Sequence, residues 1–544
     1  MKYLSIVFFS VLTITAFSQN INQSTTPSVT APKLVVGIVV DQMRYDYLYR
    51  YAAKYGNGGF KRLMNDGFNC KNNHYNYAIT TTGPGHASIY TGSIPAITGI
   101  IGNDWFVPLT NSGMYVVEDT LAKSVGALPG TEGQRSPKNM LTSTITDQLR
   151  LSNDFKSRVF GVSIKDRGAI LPAGHTGNAA YWFDPKSGNW ISSTYYMADL
   201  PQWAKDFNAQ QIPAKIIAQK WETLLPISEY TESEEDNQPY ENNLPTESAP
   251  VFPHTLNSFH TIPVSPFGNT LTKDFALTLM KNENMGKGNV TDFLCVSFSS
   301  PDYIGHSFGT HAIETQDCYL RLDRDIEDLL NNLDQQVGKG NYLVFLTADH
   351  GVADIPDYLK KHHIPAGVSN SAIDAKFLNS QLERELGKGT WIKSISNYQI
   401  YLDEDFMIRK KVSFADVHAI LKKNMISEGS PVHDVINLHN LANAVIPDYY
   451  RSYISNIYNP KLSGDFFVWL EPAWFYGSPK GTTHGTMFAY DTHVPLLFYG
   501  WKIPKGQTVE RTNISDIAPT LATLLNILEP NGTVGKPIPA VCKD

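Results

Sequence analysis

The sequence predicts an α/β fold: a mostly parallel central sheet with helices on both faces, plus cap-like insertions. Two observations carry this. Continuous apolar, β-branched runs end in aspartate, as in "KLVVGIVVD" (33–41), "DFLCVSFSSPD" (292–302) and "NYLVFLTADHG" (341–351). Strands covered on both faces read this way, whereas half-wet strands alternate. Helical periodicity lies between such runs, and alternating strands and helices build a parallel sheet. The length, 544 residues, then calls for one large domain with insertions or for two domains.

The elements follow in order. The first 20 residues, "MKYLSIVFFSVLTITAFSQN", carry one basic residue, an apolar run and a small-x-small site. They read as a signal peptide over 1–18, cleaved near Ser18/Gln19. The run is too short for a comfortable membrane span. After β-runs at 33–41 and 157–167 ("SRVFGVSIKDR", ending in basic residues) come those at 292–302, 341–351 and 493–500 ("HVPLLFYG"). Leu322, Ile326, Leu329, Leu330 and Leu333 keep helical spacing. Asn513 caps a last helix through Leu521, Leu524 and Leu525. The mature domain is therefore placed at 19–544, with insertions at about 168–290 and 355–480. The acidic, proline-rich stretch 228–250 reads as an exposed loop.

Composition narrows the function. A formal charge of -7 argues against a nucleic-acid partner, and nothing beyond the leader is apolar enough to span a membrane. The sequence leaves oligomeric state open. Cys70, Cys295, Cys318 and Cys542 are open to two disulfides of unspecified pairing in an oxidising compartment. They stand singly, so a metal must use histidine and carboxylate.

Open α/β sheets bind ligands beyond the C-terminal strand ends. Asp41, Lys165, Arg167, Asp302 and Asp349 all fall there. Asp302 and His306 are spaced i,i+4, which lets both face one ion. Asp349 and His350 are adjacent and point apart, which suits two ions. His484 sits among small residues in "GTTHGT". Three aspartates and three histidines suffice for two zinc ions, and a two-metal site clamps both oxygens of an in-line displacement. His86, His175, His311 and His493 are given no role. The stretch "TTTGPGHASIYTG" (80–92) sets threonines against a helix start. Taken alone, that is a helix cap. Beside metal ions, a hydroxyl there becomes a nucleophile.

Together "VVDQMRYDYL", "TTTGPGHASIYTG", "GIIGNDW", "VSIKDRGAILPAGHTGNAAYWFD", "SFSSPDYIGH", "LTADHG" and "GTTHGT" resemble the alkaline phosphatase superfamily. They look most like its phosphate-irrepressible, PafA-type bacterial branch. The resemblance implies that Thr82 is the nucleophile. It implies one zinc held by Asp41, Asp349 and His350 and touching Thr82, and a second held by Asp302, His306 and His484. Asn103 and the Thr82 N–H are implied to bind a phosphoryl oxygen, with Lys165 and Arg167 also on the phosphate. Strand periodicity, which puts i and i+2 on one side, agrees with the last pair. The implied protein is an exported, periplasmic phosphomonoesterase of small-molecule phosphate monoesters, working through a phosphothreonine. A phosphodiesterase of the same superfamily and a non-catalytic exported binding protein are the alternatives. A sulfatase is disfavoured, because threonine stands at the nucleophile position and no C-x-P-x-R run exists.

Overall fold

Seven consecutive residues with no exposure, Leu34–Val40, form β1 at the middle of the sheet. The computed structural model describes residues 31–128, 130–370 and 372–543. The leader expected at 1–18 lies outside the described residues. In chain order the other strands of the main sheet are β2 (Phe68–His74), β3 (Ser124–Val125), β4 (Val159–Ser163), β5 (Ala179–Asp184) and β6 (Asn189–Ser193). Then follow β7 (Asp292–Phe298), β8 (Tyr342–Thr347), β9 (Leu496–Gly500) and β10 (Gly506–Asn513).

The spatial order is β10-β2-β9-β8-β1-β7-β4-β5-β6-β3. Neighbours from β8 to β5 pair in parallel, which aims their C-terminal ends the same way. Around this parallel centre the sheet is mixed. The 493–500 run supplies β9, which lies antiparallel to both β8 and β2. An apolar run specifies burial on two faces but not chain direction. The helix Ile313–Leu333 buries the five residues of its predicted stripe. Asn513 caps a short 3₁₀ turn, Ile514–Asp516, which leads into the helix Ile517–Leu525.

Three expectations need adjustment. The 168–290 segment is not wholly outside the sheet, since β5 and β6 come from it. The 228–250 stretch lacks long regular elements but buries Tyr230, Tyr240, Glu241 and Leu244, so it is a packed loop. All four cysteines are free: Cys70, Cys295 and Cys318 are buried on separate elements as small apolar residues, and Cys542 is half-buried.

The 355–480 segment forms a lobe with its own sheet, in the order Ile392–Ser396, Gln399–Leu402, Phe466–Leu470, Val432–Asn437. Leu378, Leu382, Trp391, Val417 and Phe466 form a core there, separate from the main one.

The helix Thr82–Thr91 is buried along its whole length. Its close approach to the sheet requires Gly37 in β1. A Cβ there would lie 2.3 Å from the Tyr90 hydroxyl and 2.6 Å from the Phe345 ring. Gly37→Ala is therefore expected to cost about 1–3 kcal/mol through overpacking. A fall in the urea midpoint at constant m-value checks it.

Candidate active site

Thr82 is the first residue of its helix and is 1% exposed. Thr81 takes the N-cap position, yet its side chain makes no capping bond. The capping explanation for these hydroxyls therefore fails. Lys165 Nζ and Arg167 Nη2 instead donate toward Thr82 Oγ1, at 3.5 and 3.4 Å. The structure corrects how these cations arrive. The strand β4 stops at Ser163, Lys165 is the N-cap of the helix Asp166–Ala173, and Arg167 lies in its first turn. A strand-to-helix corner, not one strand face, brings them together.

Around this oxygen the parallel strand ends deliver carboxylates. Asp41 follows β1, Asp349 follows β8, and Asp302 sits in the first turn of the helix Ser300–Phe308 just after β7. Lys165 Nζ bridges Asp41 (2.8 Å) and Asp302 (2.5 Å). Of the three histidines, His306 Nε2 and His484 Nε2 face Asp302 Oδ1 at 3.3 and 3.5 Å. His350 Nε2 faces Asp41 Oδ1 at 3.5 Å and Asp349 Oδ2 at 3.6 Å. The His350 and His484 rings stack, with centroids 3.5 Å apart.

The other nitrogens settle the tautomers. His306 Nδ1 pairs with the Thr482 carbonyl (2.7 Å), His350 Nδ1 with Gly351 (2.9 Å) and His484 Nδ1 with Thr80 (2.7 Å). A carbonyl only accepts, so in each neutral ring Nδ1 carries the proton and Nε2 a lone pair. Three lone pairs thus point at carboxylate oxygens. Asp41 Oδ1, Asp349 Oδ2 and His350 Nε2 are buried with no hydrogen-bond partner. Such a set repels itself unless cations lie within it. Asp302, His306 and His484 form one group whose ligand atoms lie within 4.8 Å of one another, and Asp41, Asp302 and His350 form another. The donor set, nitrogen and carboxylate oxygen with carbonyl-fixed imidazoles, fits divalent metal.

The titration tendencies state the same frustration. Burial, then the Asp302 charge, pushes Asp41 up to about 6. Burial, then Asp41, drives Asp349 well above the usual carboxylate range. Burial opposes ionisation of Asp302 too, but His306, once its Nε2 takes up a proton, and the Lys165 ammonium outweigh it and hold this carboxyl low. Burial alone would lower Lys165; Asp302 and Asp41 keep its ammonium above the ordinary lysine value.

Asn103 Oδ1 accepts from the Gly83 N–H at 2.7 Å. That fixes the amide orientation and leaves its NH₂ as a donor beside the helix start. Arg167 is steadied by the Tyr115 hydroxyl at 3.2 Å, and Tyr115 in turn bonds Asp166. Gly85 has a plain steric reason: a Cβ would lie 2.2 Å from the Asp349 carbonyl.

Two residues went unread in the sequence. His86, four residues beyond Thr82, bonds the Thr82 carbonyl and Ser297 Oγ, both at 2.9 Å, and so props the turn that carries Thr82. Gln42 lies in the left-handed region at φ 64°. Its N–H donates to Asp349 Oδ1 (3.1 Å) and its Nε2 to Asp302 Oδ1 (2.8 Å). Adjacency to Asp41 was the only available signal. His175, His311 and His493 have other partners: the Thr142 carbonyl, Asp354 and the Lys71 carbonyl.

A ten-stranded α/β sheet with buried carboxylate–histidine groups around a helix-start threonine defines a hydrolase of the alkaline phosphatase superfamily. Residues 35–494 match the family model for type I phosphodiesterase / nucleotide pyrophosphatase, and the chain belongs to this family. Within it the chain groups with the PafA-type alkaline phosphatases. It is 45% identical to alkaline phosphatase PafA of Elizabethkingia meningoseptica, over 95% of each chain. A Myroides odoratus protein named calcium-transporting ATPase is 47% identical, over 93% of this chain and 94% of that one. Two PafA crystal structures superpose at 44% identity. The wild type gives a TM-score of 0.92, covering 95% of this chain and 100% of that one. A variant with one threonine, one asparagine, one lysine and one arginine replaced gives 0.91, covering 94% and 99%. Among the described residues no helix is long and apolar enough to cross a membrane.

Gln42→Gly keeps the left-handed backbone without strain and removes the amide that orients Asp302. Retention of divalent metal is expected to weaken about 10–100-fold, as for other supporting partners of metal ligands. Competition with a chromophoric chelator measures it.

Proposed function

We propose that this protein is an exported phosphomonoesterase that converts small phosphate monoesters to alcohol and inorganic phosphate, with Thr82 as nucleophile. The observation that carries the reading is the convergence of Lys165 and Arg167 on Thr82 Oγ1 beside two carboxylate–histidine groups. Two zinc ions are assigned: one to Asp41, Asp349 and His350, the other to Asp302, His306 and His484. When bound, they supply positive charge that acidifies the threonine hydroxyl and stabilises the departing oxygen. The site of the PafA variant supports the quartet. Its four substituted residues follow one another at intervals of 21, 62 and 2, the same intervals that separate Thr82, Asn103, Lys165 and Arg167. The apolar leader supports export to the periplasm.

The chain's own residues then act as follows. The helix start and the Asn103 amide hold one phosphoryl oxygen. Lys165 and Arg167 neutralise the others, Arg167 with its planar fork and Lys165 as a point charge. Thr82 Oγ1 attacks phosphorus in line as the bond to the ester oxygen breaks. The hydroxyl proton leaves with the alcohol, and phosphothreonine remains. Water then attacks phosphorus, releasing phosphate and restoring the hydroxyl. Positioning and charge neutralisation dominate a transition state of this kind.

A phosphodiesterase is the second reading, favoured by the matched family's description. The two cations decide between them. A monoester dianion uses both, whereas a diester brings one charge and a second organic group. Lys165→Ala and Arg167→Ala are each expected to lower kcat/KM on an aryl phosphate by about 10²–10³-fold, with far smaller loss on its methyl diester. Equal losses on both would favour the diesterase. Thr82→Ala is expected to abolish turnover while metal analysis still returns two zinc ions per chain. Absence of zinc in the purified wild type would instead favour a binding protein.

A further inference from the structure

A cavity of about 470 Å³ opens beside the nucleophile, lined by Thr81 and by His484. Its other walls come from two parts of the chain. Ile79 precedes the nucleophile helix, while Ala375, Ile395, Tyr398 and Tyr476 come from the lobe. Its walls mix aliphatic and aromatic side chains with polar ones, Ser396 and Asn397 among them, and pockets of this size and make-up accept small organic groups. Neither lysine nor arginine is among the lining residues, and one lining residue is the exposed Asp374, whose carboxylate accepts from the Phe377 N–H at 2.7 Å. A further phosphate would therefore meet repulsion where an uncharged ring would not.

The hairpin that forms one wall is held under strain. Asn397 and Tyr398 make a two-residue turn at φ 51° and 59°. Such turns are ordinarily built from Asn-Gly, and a tyrosine in the left-handed region costs on the order of 1–3 kcal/mol. Contacts on both sides hold it. Asn397 Nδ2 donates to the Asp104 carbonyl at 2.7 Å, next to Asn103. The Tyr398 carbonyl accepts from Val468 N–H at 2.8 Å, and its hydroxyl accepts from Tyr476 N–H at 3.2 Å. The strained tip thus places an aromatic ring at the cavity while touching the loop that presents Asn103.

We infer that this cavity is the subsite for the alcohol portion of the ester, and that it selects an uncharged planar ring system over a small aliphatic or polyphosphorylated group. The inference rests on the proposed monoesterase reading. His484 lines the cavity and belongs to the Asp302–His306–His484 group, whose metal would face the departing oxygen while the other metal would touch Thr82, so the cavity lies on the side where the alcohol would leave. Ring faces against Tyr398 and Tyr476, with Ile79 and Ile395 excluding water, supply the binding energy. Aryl alcohols and nucleosides share this chemistry.

The test compares three primary-alcohol monoesters whose leaving groups are similar in acidity, ethyl phosphate, 2-(1-naphthyl)ethyl phosphate and adenosine 5′-monophosphate, with adenosine 5′-diphosphate, an anhydride whose leaving group is the more acidic monophosphate. With the zinc-loaded enzyme, at least one ring monoester is expected to exceed ethyl phosphate in kcat/KM by tenfold or more. The more favoured ring monoester identifies the source, and the diphosphate is expected to fall below the monophosphate. Ala375→Phe, which fills the cavity, and Tyr476→Ala, which strips an exposed wall, are each expected to cut the ring preference at least fivefold. Ethyl phosphate turnover and inhibition by inorganic phosphate are expected to stay within twofold. Tyr476 is 57% exposed, so its truncation leaves the core intact. Ring and ethyl esters hydrolysed equally by the wild type, or a ring preference unmoved by Tyr476→Ala, would overturn the subsite. Failure to hydrolyse any of the esters would instead overturn the monoesterase reading on which it rests.

Discussion

Three buried carboxylates at one end of a parallel sheet make a demand that the rest of this structure answers. Asp41, Asp302 and Asp349 are almost without solvent, and like charges so placed are tolerated only around cations. Lys165 reaches two of the three, and Arg167 stands by Thr82. One lysine bridging two carboxylates leaves buried oxygens unpaired and imidazole lone pairs aimed at them. The site is therefore an electrostatic debt of the apoprotein, and divalent metal is what its geometry calls for. The fold makes that arrangement possible, because parallel pairing brings β1, β7 and β8 to an end on one side.

Much of this was legible in sequence because it depends on local signals. An apolar run followed by aspartate locates both a buried strand and the residue at its exit. Asp302 and His306 share a helix face, so their spacing survives folding unchanged. Glycines beside Thr82 announce close backbone approach, and Gly85 meets the Asp349 carbonyl as that pattern suggests.

What stayed hidden depends on distant partners. The direction of β9 follows from topology, not from its residues. Lys165 and Arg167 were placed on a strand, but Asp166 and Gly168 begin a helix there, and Gly168 lets it pack tightly beside Ser163. Gln42 and His86 look ordinary in one dimension. Each acquires its role only when Asp302, or Ser297, arrives from more than 200 residues away. The lobe is similar: its hairpin becomes part of the site through a bond to the Asp104 carbonyl that no motif records.

The histidine tautomers carry one more consequence. Their acceptors are the main-chain oxygens of Thr80, Gly351 and Thr482. Every amino acid retains that oxygen, so no point substitution deletes it. Ring orientation is thereby insulated from genetic drift at those three positions, and evolutionary change in chemistry or selectivity is steered toward side chains elsewhere on the rim.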